Sequence, residues 1–240
     1  MTAHRGDLAT FQKTPLYNSV LGRHDLYVCL NNTDGLPAVY NRFLNEDYAS
    51  FTPCGGFEPS HETNDIVVFL HDDVELIGAN AEHELNRFAD EGFAIMGLVG
   101  ARHITVKEPA LWHFMSKPET QSGVSVFHNA VHPANRPPYP DPEQPRPSHF
   151  GPLSEVIVLD GVFMAVVKDL VDKANWRFDE DYDFHLYDMA SCLRANLAGL
   201  RMRTVFIPVV HWSPGIGNVN DPVFVKNQKT FIDSFQHRPH

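Results

Sequence analysis

Histidines and carboxylates follow apolar segments of this sequence at positions where they could bind a divalent metal ion. His71, Asp72 and Asp73 come directly after an unbroken apolar run, and His211 comes directly after another. Two carboxylates and two histidines near one edge of a sheet suit a divalent ion that takes oxygen and imidazole ligands. A hard ion held by few protein ligands keeps open positions and commonly bridges a substrate pyrophosphate. The pattern therefore predicts a site that stabilises a departing nucleoside diphosphate.

The segment that places the first three of these residues is the run I-V-V-F-L at 66–70. An unbroken β-branched and aromatic run is typical of a strand that helices cover on both faces. Open α/β folds bind their ligands at the carboxyl edge of the sheet, where such a strand ends. Two further predicted strands end in polar residues: 26–30 before Asn31 and Asn32, and 154–159 before Asp160.

Helical periodicity separates the predicted strands. Apolar residues recur at helical spacing after Pro37, between Ala81 and Ala89, and along the stripe Leu186, Ala190, Leu193 and Leu197, with Gly92 and Gly199 ending the last two helices. Strands that alternate with helices imply parallel crossovers. We therefore expect an α/β fold: a single domain over 1–240, with a Rossmann-like, mixed but mostly parallel sheet flanked by helices.

Three segments lack a clear period and are predicted to fall outside this framework: an irregular lead-in at 1–24, a proline-rich loop at 128–152 and a C-terminal tail at 214–240. The loop contains eight of the eighteen prolines. Such a composition predicts a surface excursion of polyproline character rather than a helix or strand. Its functional interpretation is a lid or an acceptor-contacting loop; the alternative is an insertion without function.

Composition limits the classes of partner. Thirty acidic against nineteen basic residues give a formal charge of −11, which disfavours binding to nucleic acid or anionic lipid. The three cysteines are widely spaced and odd in number, which favours free thiols. The sequence shows neither an apolar signal segment nor a membrane-spanning run, so we expect a cytoplasmic protein that does not insert into membranes.

Four motifs in order resemble the family 2 type of glycosyltransferase with the GT-A fold. They are F-L-H-D-D-V from Phe69, L-D-G-V-F-M-A from Leu159, F-D-E from Phe178 with Y-D at Tyr187, and V-H at Val210. The sequence is similar in particular to small bacterial and phage members whose metal motif reads His-x-Asp. The resemblance covers residues 26–213, and four motifs in the correct order are more specific than any one alone.

The resemblance implies an enzyme that uses Mn²⁺ or Mg²⁺ and a nucleotide-sugar donor, UDP-linked in our expectation. Asp73, His211 and His71 would form the metal site, with His71 and Asp72 also available to the sugar nucleotide. Asn31, Asn32, Asp72 and Asp73 would bind the donor.

The resemblance also implies the acceptor side of the site. Asp188 would be the general base that deprotonates the acceptor hydroxyl, so that transfer inverts the anomeric carbon. Asp160, Gly161 and Trp112 would lie beside the acceptor. The family usually has another acid two residues after the base, where this chain has Ala190, and Asp183 is the reserve candidate for the base.

Other interpretations of these residues stay open at this point. Asp73 suits the cap of a following helix, Asp160 a turn, Asp188 a solvated helix position and Trp112 a core position. The alternative functions are a catalytically silent binding protein for nucleotide sugars or glycans, and a nucleotidyltransferase or metal hydrolase. The acceptor could be a saccharide, a lipid-linked sugar, a protein or a hydroxymethylated DNA base, although the acidic balance lowers the DNA option.

Overall fold

Strands and helices alternate along the chain in the computed structural model, which describes residues 1–54, 66–77, 80–106, 112–123, 126–128, 146–212 and 220–236. The strands are β1 (Thr2–Ala3), β2 (Leu26–Cys29), β3 (Thr52–Cys54), β4 (Ile66–Leu70), β5 (Val74–Leu76), β6 (Ile95–Gly97), β7 (Gly100–Ala101), β8 (Gln121–Ser122), β9 (Val126–His128), β10 (Arg146–Ser148), β11 (Val158–Leu159), β12 (Phe163–Val167), β13 (Met202–Thr204) and β14 (Val209–His211). The helices are α1 (Leu8–Phe11), α2 (Pro15–Val20), α3 (Leu36–Leu44), α4 (Ala81–Asp90), α5 (Trp112–Met115), α6 (Lys168–Lys173), α7 (Tyr187–Leu197) and α8 (Pro222–Phe235).

Strand β4 lies at the edge of a four-stranded sheet with the order β13-β6-β12-β4. β12 runs antiparallel to both β4 and β6, while β13 is parallel to β6. β4 and β6 therefore run in the same direction, but a strand from the second half of the chain separates them. The mixed α/β class predicted from the sequence is confirmed, with this antiparallel strand inside the sheet.

A second sheet, ordered β10-β9-β14-β5, brings the end of the chain to the end of β4. β5 begins just after the turn that follows β4 and pairs antiparallel with β14, so that Val74 lies opposite His211. On the other side of β4, the amide of Leu70 donates to the carbonyl of Met1 at 3.1 Å. β1 is thereby fastened to β4 as well as to β2.

Helices α3, α4 and α7 lie where periodicity predicts them. Gly92 and Gly199 follow α4 and α7 with φ of +82° and +77°, the left-handed conformation that glycine adopts at helix ends. The predicted apolar stripe of α7 is confirmed for the buried Ala190 and Leu193, whereas Leu186 is buried but lies outside the helix and Leu197 is not buried. Leu186 precedes the helix as its N-cap with φ of +64°, and Leu197 is 51% exposed.

The two ends predicted to lack regular structure are structured. Residues 1–24 contain β1, α1 and α2, with Phe11 and Leu16 fully buried. The predicted tail at 214–240 contains α8, which buries Phe231 and Phe235 in the core. Helices as short as α1 and α2 show too few turns for a period to be visible in the sequence.

The predicted proline-rich loop falls mostly outside the described residues, since 129–145 are not among them. Where the structure describes this segment, Arg146–Ser148 forms β10 and pairs with β9, so that part is a strand. Among the described helices, none has the length and hydrophobicity required to cross a bilayer. Cys29, Cys54 and Cys192 are buried and free, as predicted.

Candidate active site

Three potential metal ligands converge where β4 and β14 end. His71 and Asp73 belong to the turn between β4 and β5, and His211 is the last residue of β14. One ligand atom from each residue lies within 4.8 Å of the others. Asp73 Oδ1 is 3.3 Å from His211 Nε2, and the His71 and His211 ring centroids are 5.9 Å apart. The pairing of β5 with β14 creates this meeting of residues that are distant in sequence.

The ligand atoms of this cluster have the chemistry and the burial that favour a bound cation. His71 Nε2 is buried and forms no hydrogen bond of acceptable geometry within the described part of the chain, whereas the buried Asp73 Oδ1 has His211 Nε2 at 3.3 Å as its partner. Buried polar atoms are normally satisfied, so a cation coordinated by His71 Nε2 would remove an unfavourable feature of the site. The alternative that Asp73 caps a helix is wrong, because strand β5 follows it.

Electrostatic interactions also favour the protonation states in which these residues coordinate metals: a neutral imidazole for His71 and a carboxylate for Asp73. Burial and then the neighbouring His211 lower the pKa of His71, which favours the neutral imidazole that coordinates metals. For Asp73, burial is the largest effect and raises the pKa. The hydrogen-bonding and charge interactions with His211 and His71 together outweigh it, so that the pKa lies below its usual value. Asp73 is therefore a carboxylate near neutral pH.

A cavity of about 710 Å³ opens beside this cluster. The described residues that line it include five carboxylates but a single arginine, Arg5; the carboxylates are Asp34, Asp72, Asp73, Asp183 and Asp221. A diphosphate would meet net negative charge in this cavity. Coulomb repulsion therefore favours a bound cation when a diphosphate enters this cavity.

Residues near the start of the chain form one wall of the cavity. His4 Nδ1 lies 2.5 Å from Asp72 Oδ2, and His4 Nε2 lies 3.1 Å from Thr10 Oγ1. The His4 ring also packs against Phe11, with centroids 5.4 Å apart. Asp72 is therefore held by a histidine that is itself fixed on both sides.

The two asparagines assigned to the donor differ in position. Asn32 lines the cavity, but its side chain closes a local turn: Oδ1 accepts from the Asp34 amide at 3.1 Å and Nδ2 donates to the Asp34 carbonyl at 2.9 Å. Asn31 is exposed, adopts φ of +51° and does not belong to the described lining. Both residues shape the loop, and only Asn32 lies at the cavity.

Asp188, Gly161 and Asp160 form a second cluster. One Asp188 carboxylate oxygen accepts from the Gly161 amide at 2.9 Å and the other from its neighbour Met189 at 2.8 Å. Asp160 accepts from the Val162 amide at 2.9 Å. A Cβ atom added to Gly161 would lie 2.4 Å from the Tyr187 hydroxyl, so only glycine fits between this turn and α7.

The surroundings of Asp188 suit a general base. Burial, followed by the negative charge of Asp160, raises its pKa from 3.8 to about 7. A base with a pKa near the working pH is the most effective proton acceptor. The charge of Asp160 also acts on His71. Asp160 therefore influences a residue of each cluster.

Trp112 is a core residue here. It is 2% exposed, and its indole Nε1 donates to Asp160 Oδ2 at 3.1 Å. A buried ring has no face open to a sugar. Trp112 therefore takes the core position that was the alternative to its expected place beside the acceptor. Trp112 instead fixes the Asp160 carboxylate.

Four residues at the site lack a signal in the sequence motifs: His4, Arg5, Tyr40 and Phe184. Phe184 is 43% exposed and stacks on His71 with centroids 5.8 Å apart. His4 and Arg5 lie in the segment predicted to be irregular. In the sequence pattern, Tyr40 is one of the apolar residues at helical spacing that predict α3. The pairing of β1 with β2 and the hydrogen bonds of Met1 and Thr2 with Leu70 of β4 bring the first two to the cavity.

A comparison with protein families identifies the class of this protein. A family model described as "Glycosyltransferase like family" matches residues 60–233. No curated protein matches the chain. The chain belongs to this glycosyltransferase-like family, and its resemblance to the family 2 type is confirmed. The match begins at residue 60, so His4, Arg5 and Tyr40 lie outside the matched range.

Proposed function

We propose that this protein is a metal-dependent, inverting glycosyltransferase that moves a sugar from a nucleoside diphosphate sugar, UDP-linked in the first instance, to an acceptor hydroxyl. The observation that carries the proposal is the His71, Asp73 and His211 cluster at an acidic cavity, in which the buried His71 Nε2 lacks a hydrogen bond in the described part of the chain. Membership of a glycosyltransferase-like family supplies the reaction class.

His71, Asp73 and His211 would hold Mn²⁺ or Mg²⁺. Such a cation, when bound, neutralises the diphosphate and supports its departure. Asp72, fixed by His4 through Oδ2, keeps its second carboxylate oxygen available to accept a hydrogen bond from a donor hydroxyl. Arg5 offers a second positive charge to the donor at the cavity wall.

Asp188 would take the proton of the acceptor hydroxyl as that oxygen attacks the anomeric carbon. The Gly161 and Met189 amides hold the carboxylate in one orientation. Asp160, fixed by Trp112 and the Val162 amide, keeps the basicity of Asp188 high. A direct attack with a single base on the acceptor side gives inversion at the anomeric carbon.

The test is a transfer and donor-hydrolysis assay with a panel of UDP-, GDP- and dTDP-sugars plus Mn²⁺. The acceptors are saccharides, a lipid-linked sugar, a protein mixture and hydroxymethylated DNA. We expect the release of an intact nucleoside diphosphate, its loss with chelator, and its loss in Asp73→Ala. Asp233→Ala is the matched control, because Asp233 is an exposed acid of α8 paired with Lys229.

Each alternative function has its own outcome. Donor binding without turnover in every combination would identify a silent binding protein. Release of pyrophosphate or inorganic phosphate instead of a nucleoside diphosphate would identify a nucleotidyltransferase or a hydrolase. Normal turnover by a correctly folded Asp73→Ala would contradict the metal assignment.

A further inference from the structure

Phe184 is an exposed aromatic residue inside the cavity of the candidate active site. It is 43% exposed and belongs to the described cavity lining. One side of its ring stacks on His71, with centroids 5.8 Å apart and ring planes inclined by 29°. Because the residue stays this exposed, the side of the ring turned away from His71 is open to a ligand in the cavity.

The residues on both sides of Phe184 hold it in place. The carbonyl of Asp183 accepts a hydrogen bond from the Leu36 amide at 2.8 Å. The carbonyl of His185 accepts from Asn227 Nδ2 at 2.9 Å. These two bonds attach the segment to α3 and to α8. A side chain on a fixed backbone loses little conformational freedom on binding, so the open ring is prepared for a ligand.

The groups around the ring favour a neutral ligand with hydroxyls. Asp183 directly precedes Phe184, and Asp34 and Asp221 line the same cavity. Carboxylates accept hydrogen bonds from hydroxyls but repel phosphate oxygens. The apolar C–H face of a sugar can lie on an aromatic ring while the hydroxyls at its edge reach carboxylates. An open aromatic face among carboxylates therefore suits a sugar better than a phosphate.

The contact with His71 indicates which part of the donor lies here. His71 is the stacking partner of Phe184 and also a candidate metal ligand. A cation on His71, with its phosphates, would therefore lie close to the Phe184 ring. In a nucleoside diphosphate sugar the transferred sugar is bonded directly to the diphosphate, whereas the ribose separates the base from it. The transferred sugar is thus nearer to this position than the base.

We propose that Phe184 stacks on the apolar face of the sugar carried by the bound donor. The inference rests on the proposed function and adds to it a residue that recognises the transferred sugar. Phe184 would act by direct contact with this sugar through the side of its ring that faces away from His71.

The test is Phe184→Leu, which keeps an apolar side chain and removes the aromatic face. The probes are UDP-glucose, UDP-N-acetylglucosamine and GDP-mannose, each compared with its nucleoside diphosphate by calorimetry at saturating Mg²⁺. We expect the affinity for the sugar nucleotide, relative to that for its nucleoside diphosphate, to fall about three- to tenfold, the effect of one aromatic contact. Phe184→Tyr keeps the aromatic face and should keep this ratio within about twofold of the wild type.

Proton NMR supplies a readout that a purely structural role would not change. With diamagnetic Mg²⁺ as the cation, we expect C–H protons on one face of the bound sugar to shift upfield, because they lie over the aromatic ring. The shift should be absent with Phe184→Leu and present with Phe184→Tyr.

Phe206→Leu is the matched control. Phe206 is an aromatic residue of similar exposure, but it lies in the link between β13 and β14 and is not part of the described cavity lining. We expect this variant to bind the sugar nucleotide like the wild type and to keep the upfield shift.

The outcomes separate this inference from the proposed function. An equal affinity ratio in Phe184→Leu and the wild type would overturn the inference alone. Upfield shifts of the base protons instead of the sugar protons would also overturn it, as would shifts seen only for a free saccharide added with UDP. Failure of the wild type to bind any sugar nucleotide or nucleoside diphosphate would overturn the proposed function, and the inference with it.

Discussion

Replacing Asp188 with asparagine should remove the acid limb of the pH–rate profile. Asp188 must be ionised to accept a proton, and burial together with Asp160 raises its pKa to about 7. We expect kcat/KM of the wild type to rise with pH about tenfold per unit and to level off no higher than about pH 7. A bound cation favours the carboxylate and moves the midpoint to lower pH. In Asp188→Asn the remaining rate, about 10²- to 10⁴-fold lower, should be flat over this range.

The same pKa shift has a consequence for folding. The pKa rises from 3.8 to about 7, so between these values the folded protein holds a proton that the unfolded chain has released. The stabilising contribution of the protonated group is complete below pH 3.8 and disappears as the pH rises through about 7. The shift corresponds to roughly 4 kcal/mol, an upper bound because solvent screens a half-buried group.

Asparagine does not ionise, so Asp188→Asn should gain stability relative to the wild type as the pH rises from 4 to 8. The variant keeps one strong acceptor oxygen for the two amides that Asp188 satisfies, which costs about 1 kcal/mol at every pH. The pH-dependent part of the difference therefore isolates ionisation. Urea unfolding of both proteins at several pH values measures it.

The neighbouring phenols and the neighbouring thiol do not titrate in this range. Burial keeps the pKa values of Tyr40, Tyr187 and Cys192 well above their usual range, so these groups stay protonated in the tested window. Asp183→Asn is the control, because Asp183 is exposed at the cavity wall and is the other candidate base. An unchanged acid limb in Asp188→Asn, or its loss in Asp183→Asn, would refute the assignment of the base.

Three further predictions concern the cavity and the core. Arg5→Gln should weaken nucleoside diphosphate binding about tenfold in calorimetry, more at low salt, whereas the exposed Arg23→Gln should not; equal affinities would exclude Arg5 from the donor site. Phe184→Ala should weaken Mn²⁺ binding with little change in melting temperature, because it frees the His71 ring; unchanged Mn²⁺ affinity would contradict this. Arg203→Gln should lower the free energy of unfolding by about 1 kcal/mol without affecting Mn²⁺ binding, because its guanidinium lies 3.6 Å from the Phe88 ring centroid; full stability in urea would contradict this.

The residues that follow β4 were predictable because strand ends are visible in the sequence. The run 66–70 has one interpretation, and the polar residues after it must lie at an edge of the sheet. The pairing of β5 with β14 was not predictable, because β5 is three residues long and has no period of its own. The sequence pattern thus predicted that His71, Asp73 and His211 meet, and the pairing of β5 with β14 brings them together.

Other errors have equally specific causes. The apolar run 93–100 is predicted from its composition to be one buried strand but is divided into β6 and β7, and the run 205–210 is likewise predicted to be one strand but belongs partly to a link between β13 and β14 that contains Pro208. Hydrophobicity reports burial in both segments but not where hydrogen bonding begins. For α8, Asp221 and Pro222 form a start signal, and Phe224, Phe231 and Phe235 share one face, so this helix was visible in the sequence.

The most direct test of the metal site is calorimetric titration of Mn²⁺ into the wild type, Asp73→Asn, His211→Gln and the control Asp233→Asn. We expect one Mn²⁺ per wild-type chain, unchanged binding in the control, and a loss of affinity of about 100-fold or more in the other two variants, since each removes a ligand. Sugar-nucleotide binding should be lost in parallel. Wild-type affinity in Asp73→Asn and His211→Gln would contradict the metal site on which the proposed reaction depends.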